Sequence, residues 1–105
     1  MSRNGRSLQT VRKVILFVAG DGANSVAATR NLALLQRSTE CDFDLEVVNV
    51  LQHYQRALQY DVLVTPCLVQ VEPAPRVMIV GTLHDLAKVR AALQLPPEMP
   101  NAASS

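Results

Sequence analysis

A chain of 105 residues is long enough for one domain and too short for two. Hydrophobic residues make up 49% of it, which excludes a disordered tail; aromatics are only 4%, so any core is built from Val, Leu, Ile and Ala. Ten Lys+Arg against nine Asp+Glu leave a net charge of +1, which argues against a dedicated nucleic-acid binder, because that function needs a field able to displace counterions.

Residues 1–12 read as a flexible basic leader. Arg3, Arg6 and Arg12 lie in it, Lys13 follows, and no acid interrupts them. Such a short group of charges is more often a solubilising terminus than an arm that docks on an acidic partner or RNA. Lys13 to Ala19 is a continuous apolar, β-branched run, the pattern of a strand covered on both faces. Its apolar part is six residues, Val14 to Ala19, too short for a membrane span or a secretory h-region; the expectation is a cytoplasmic chain with reduced thiols. Gly20 to Asn24 is a turn, and Asn24 or Ser25 is placed to cap a helix running to about Arg37. Ala28, Leu32 and Leu35 share one face of that helix.

Phe43 to Val50 alternates Phe43, Leu45 and Val47 with Asp44, Glu46 and Val48, which predicts a strand at or near a sheet edge. Gln52 to Tyr60 reads as a short helix with a weak stripe of Tyr54, Ala57 and Leu58. Val62 to Val64 leads to Thr65-Pro66, and Cys67 to Val71 is a third strand. Pro73 and Pro75 make residues 72–76 a turn or link, since proline donates no backbone hydrogen bond. Val77 to Val80 is a fourth strand stopped by Gly81. Leu83 to Leu93 is a helix with Leu86, Val89, Ala92 and Leu93 on one face. Residues 96–105 lack periodicity and read as a flexible tail, which leaves 13–95 as the domain.

The order β-α-β-α-β-β-α places the first two strands parallel through a right-handed crossover, and the third and fourth antiparallel across a short link. That is an α/β, thioredoxin-like arrangement with a mixed four-stranded sheet. Thr65-Pro66 before the third strand is a candidate cis-proline, an isomer that tertiary context selects at small cost.

Redox chemistry on this scaffold needs a thiolate at the first helix start, where the dipole lowers its pKa. Gly22-Ala23-Asn24-Ser25 stands there, and a serine hydroxyl forms no exchangeable sulfur bond. Cys67, next to Pro66, is left as the only redox candidate and reads better as a buried structural thiol. Cys41 has no expected activating partner. Gly20-Asp21-Gly22 half-matches a dinucleotide loop, but Ser25 replaces the third glycine and Asp21 would face the phosphates. Cys41, His53, Cys67 and His84 are too widely spaced for a structural zinc site. His84-Asp85 lacks a nucleophile elbow. No catalytic residue, metal or cofactor is therefore expected.

Several segments taken in order resemble the KaiB family of clock proteins. They are Leu16-Phe17-Val18-Ala19-Gly20, Asn24-Ser25-Val26, Leu45 to Leu51, Val62 to Leu68, Pro73-Ala74-Pro75 and Ile79-Val80-Gly81-Thr82-Leu83. The resemblance implies a non-enzymatic adaptor that binds a KaiC-like ring ATPase and modulates clock-type or stress signalling. It also implies contact with a sensor histidine kinase, possible dimers or tetramers, and a second, ground-state packing of the C-terminal half. The alternatives are a redox protein using Cys67 and an interaction module for a histidine kinase. Gly20, Asn24, Ser25, Asp44 and Glu46 are the candidate partner-binding residues. Thr65, Pro66 and Gly81 are the candidate fold-switch hinge. Val77 and Met78 stand where the family carries an arginine pair, and Thr82 where it carries an acid, which marks a divergent member with an altered partner surface.

Overall fold

The computed structural model describes residues 11–39 and 42–95. Cys41 and most of the basic leader lie outside them, as does the tail from residue 96. The elements are β1 (Arg12–Val18), α1 (Ala23–Arg37), β2 (Phe43–Asn49), α2 (Tyr54–Gln59), β3 (Cys67–Glu72), β4 (Val77–Val80) and α3 (Leu86–Leu93). The sheet order is β2-β1-β3-β4. β1 runs parallel to β2 and antiparallel to β3, and β4 runs antiparallel to β3. This is the thioredoxin-like arrangement expected from the hydrophobic pattern, with β2 at an edge.

Central position explains why β1 is apolar and buried from Val14 to Val18. Val14, Leu16 and Val18 face α1 and α3, joining Leu68, Ala28, Leu32, Leu35, Val89 and Leu93. Ile15 and Phe17 face the other way, joining Cys67, Val69, Ala57 and Val62. The expected α1 stripe of Ala28, Leu32 and Leu35 is the buried one. Burying a side chain of this size contributes about 1.5–3 kcal/mol. Among the described residues no helix is long and apolar enough to cross a membrane.

Several boundaries differ from the sequence reading, each for a physical reason. Arg12 is the first residue of β1, not the last of a leader. Its Nη1 donates to Gln70 Oε1 (2.9 Å) and to the Leu93 carbonyl (2.7 Å), which ties the strand start to β3 and α3. Helix α1 begins after Gly22, and neither Asn24 nor Ser25 caps it: the N-cap is Gly22, with no side-chain bond. Ser25 Oγ instead turns back to the Ala19 carbonyl. In β2 the burial alternation breaks, with Val47 exposed and Val48 buried beneath α2. Helix α2 starts at Tyr54, because the Gln52 and His53 N–H groups both turn to the Asn49 carbonyl. Helix α3 starts at Leu86, not Leu83, because Leu83 has a φ of 65°, a left-handed value incompatible with a helix. Asp85 caps it by accepting from the Lys88 N–H. On α3 the buried third member is Arg90, which donates to Ser38 Oγ, and Ala92 is exposed.

Candidate partner-binding surface

The pairing register puts Val18 beside Asn49, Phe17 beside Cys67, and Cys67 beside Val80. The loops that follow β1, β2 and β4, and the loop that precedes β3, therefore gather at one end of the sheet. Gly20, Asn24, Ser25, Thr65, Pro66 and Gly81 all lie there. Asp44 and Glu46 do not: they line the β2 edge.

At the loop end, a groove of about 300 Å³ is walled by Ala19 and the α1 start from Gly22 to Ser25 on one side, with Thr65 and Pro66 on the other. The Thr65–Pro66 bond is cis, as are Glu72–Pro73 and Ala74–Pro75. Gly81 joins the groove wall indirectly by donating its N–H to the Pro66 carbonyl (2.9 Å), and its φ of 120° is one that a side chain would strain. Ser25 is buried, whereas Asn24 is exposed at the first turn of α1. No side chain caps that turn and no acid occupies it, so its N–H groups face the groove mouth with their partial positive charge.

No cysteine lines this groove. Cys67 is one residue further on, fully buried on the α2 side of the sheet, and burial pushes its thiol pKa up. Both effects oppose thiolate chemistry. His84 is exposed, with its Nδ1 3.4 Å from Thr82 Oγ1. Among the described residues no group of three or more His, Cys, Asp or Glu is arranged to hold a metal ion.

Glu46 is occupied. Both of its carboxylate oxygens accept from Arg56 on α2, at 2.7 and 2.9 Å, and that pairing holds its carboxyl below the usual range. Asp44 is exposed on the same strand, one residue into the β2 edge.

The sequence reading missed the apolar character of the loop end. Leu63 is 85% exposed, Leu51 71%, and Val64 is also open to solvent; on α2, Tyr54 and Leu58 are exposed as well. Periodicity gave no warning for Leu51, Leu63 and Val64, since all three sit outside regular elements. A signal was nevertheless present: three large aliphatic residues in segments that should be polar. It also missed Asn49, whose side chain bonds both loops, although asparagine at a strand end is an ordinary turn signal.

Residues 15–95 match the family model described as the KaiB domain. The chain is 37% identical over 92 residues to the circadian clock oscillator protein KaiB of Gloeothece citriformis, covering 84% of this chain and 87% of that one. It is 40% identical over 81 residues to the KaiB of a Picosynechococcus species, covering 76% and 78%. Among solved structures it is similar to the N-terminal domain of Synechococcus elongatus SasA. The TM-score is 0.66 at 25% identity, over 83% of this chain and 87% of that one. Mitochondrial thioredoxin 3 of Saccharomyces cerevisiae shares the fold, with a TM-score of 0.65 at 19% identity over 80% and 78% of the two chains.

Proposed function

We propose, from the premise that this chain belongs to the KaiB family, that it is a non-enzymatic adaptor whose loop end docks on a KaiC-like ring ATPase and modulates clock-type or stress signalling. The family match supports a clock-related role, and the class of partner is what the family resemblance implies. The observation that carries the mode of action is the set of large aliphatic side chains left in solvent in the loops at one end of the sheet, Leu51, Leu63 and Val64, with Tyr54 and Leu58 also exposed on α2. An exposed patch of this kind beside a polar rim is what a protein interface needs, and aromatic and aliphatic anchors supply most of its affinity. Gly20, Asn24 and Ser25 stand next to it; Asn24 and Ser25 lie in the uncapped first turn of α1, which offers its N–H groups to a partner loop, while the Gly20 N–H is held by Asn49.

The β2 edge is a second contact in the same reading. Its outer backbone groups permit addition of a partner strand, and Asp44 biases the choice toward a basic one, while Glu46 is engaged by Arg56. Thr65, Pro66 and Gly81 form the hinge about which the C-terminal half takes its ground-state packing, in a dimer or tetramer. The likeness to the SasA N-terminal domain supports a sensor histidine kinase as an alternative partner, or the chain as an interaction module for one. The buried, protonated Cys67 weighs against the redox alternative. The adaptor reading places the chain in the cytoplasm with its ATPase.

Titration against a KaiC-like ATPase supplied with ATP, ADP or neither tests the reading. Co-elution is expected in one nucleotide state, and Leu63→Glu abolishes it with an unchanged melting temperature. Absence of binding in every nucleotide state refutes the assignment.

A further inference from the structure

Asn49 closes β2 and collects N–H groups from two different loops. Its backbone carbonyl accepts from Gln52 (3.0 Å) and His53 (2.9 Å). Its side-chain Oδ1 accepts from Leu51 (3.0 Å), two residues on, and from Gly20 (3.0 Å), twenty-nine residues back and beyond the end of β1. The two donors fix the amide, with Oδ1 turned to the backbone and Nδ2 away from it. The loops also lie close together. Gly20 sits at a φ of 70°, and a Cβ placed there would meet Leu51 Cδ1 at 3.4 Å. Leu51 is thus 71% exposed on a backbone that is held from both sides.

We infer that Asn49 is a positioning residue for partner binding: it locks the Gly20–Ser25 turn to the Leu51–His53 turn, so that Leu51 and the start of α1 meet the partner as one preorganised face. This rests on the docking reading above. A loop that is already ordered pays no ordering entropy when it binds, so the contribution appears as affinity even where Asn49 touches no partner atom. The local turn and the inter-loop bond are separable. A serine at 49 keeps a short acceptor for the Leu51 N–H, as in an ST-turn, but its oxygen is one bond short of the reach to Gly20. An aspartate keeps the shape and accepts from both donors.

The test uses the full chain with Asn49→Ala, Asn49→Ser and Asn49→Asp, and reads amide hydrogen exchange together with affinity for the KaiC-like ATPase. For Asn49→Ala, exchange at Gly20 and Leu51 rises at least tenfold, Leu16 and Leu68 stay within twofold, and the dissociation constant rises at least tenfold. Asn49→Ser frees Gly20 alone and still weakens binding at least threefold. Asn49→Asp restores slow exchange and brings affinity back within threefold of wild type. Wild-type binding that survives Asn49→Ala and Asn49→Ser within twofold overturns the positioning role and leaves the docking reading standing. So does an Asn49→Asp variant that recovers slow exchange without recovering affinity. Failure of the wild type to bind in any nucleotide state overturns the docking reading, and the positioning role with it.

Discussion

Replacing Arg12 by methionine keeps the aliphatic stem and removes the guanidinium that ties β1 to the C-terminal half. Two acceptors lose their donor: Gln70 Oε1, on a side chain only 3% exposed, and the Leu93 carbonyl at the end of α3. Hydrogen bonds from a charged donor contribute about 1.5–3 kcal/mol each, which sets the gross loss. The offset is real, because Arg12 Nε is itself buried without a partner, and the substitution removes that group. Gln70 also keeps its bond to the Pro73 carbonyl. The net expected loss is about 2 kcal/mol, by the same values. For a domain of this size that lowers the melting temperature by about 10 °C. Urea unfolding followed by circular dichroism measures it, and the slope against denaturant should not change. A double-mutant cycle with Gln70→Leu should return a coupling of about 1 kcal/mol, since the two side chains are in direct contact. A loss below about 0.5 kcal/mol, the size of an ordinary surface substitution, would refute the account and return Arg12 to a loose leader.

Burial raises the Cys67 thiol pKa, so the unfolded chain releases this proton first as pH rises. Wild-type stability should therefore fall relative to Cys67→Ala above about pH 9, with no difference in slope below about pH 8, as measured by urea titration across that range. Insulin reduction with dithiothreitol as electron source should run at the background rate, and a Cys67-dependent acceleration would revive the redox reading. Glu46 has a lowered pKa from its pairing with Arg56, so its contribution is present above the ordinary glutamate range and is lost as pH falls through the lowered value. Glu46→Gln should remove that acid-side dependence while changing neutral-pH stability little, because the pair is exposed and screened.

Element type was legible wherever burial alone decided it. β1 reads as a two-face-covered strand because it is the centre of the sheet, and the α1 stripe reads correctly because Ala28, Leu32 and Leu35 meet one continuous core. Thr65-Pro66 reads in the sequence as a candidate cis-proline before the third strand, and the bond is cis; that it faces the start of α1 emerges only from the fold. Some misreadings come from long-range polar bonds, which leave no periodic trace, and others from local turns and caps. Arg12 looks like one more leader cation until Gln70 and Leu93 are brought to it across the sheet. Arg90 carries no sign of burial in the sequence, and it is Ser38, from the end of α1, that meets it. Asn24 and Ser25 are good caps by composition, yet Ser25 is buried and turns to Ala19, which leaves Gly22 in the cap position. The paired state of Glu46 depends on α2 folding over β2, and its sequence neighbours carry no sign of it.

The central claim is that the loop end of the sheet is the face that meets the partner. Amide hydrogen exchange on the complex with a KaiC-like ATPase, compared with the free chain, tests it most directly. The account predicts slowed exchange at residues 20–25, 51–55 and 63–65, with β4 and the body of α3 unchanged. Protection confined to β4 and α3, with the loop end exchanging as in the free chain, would contradict it.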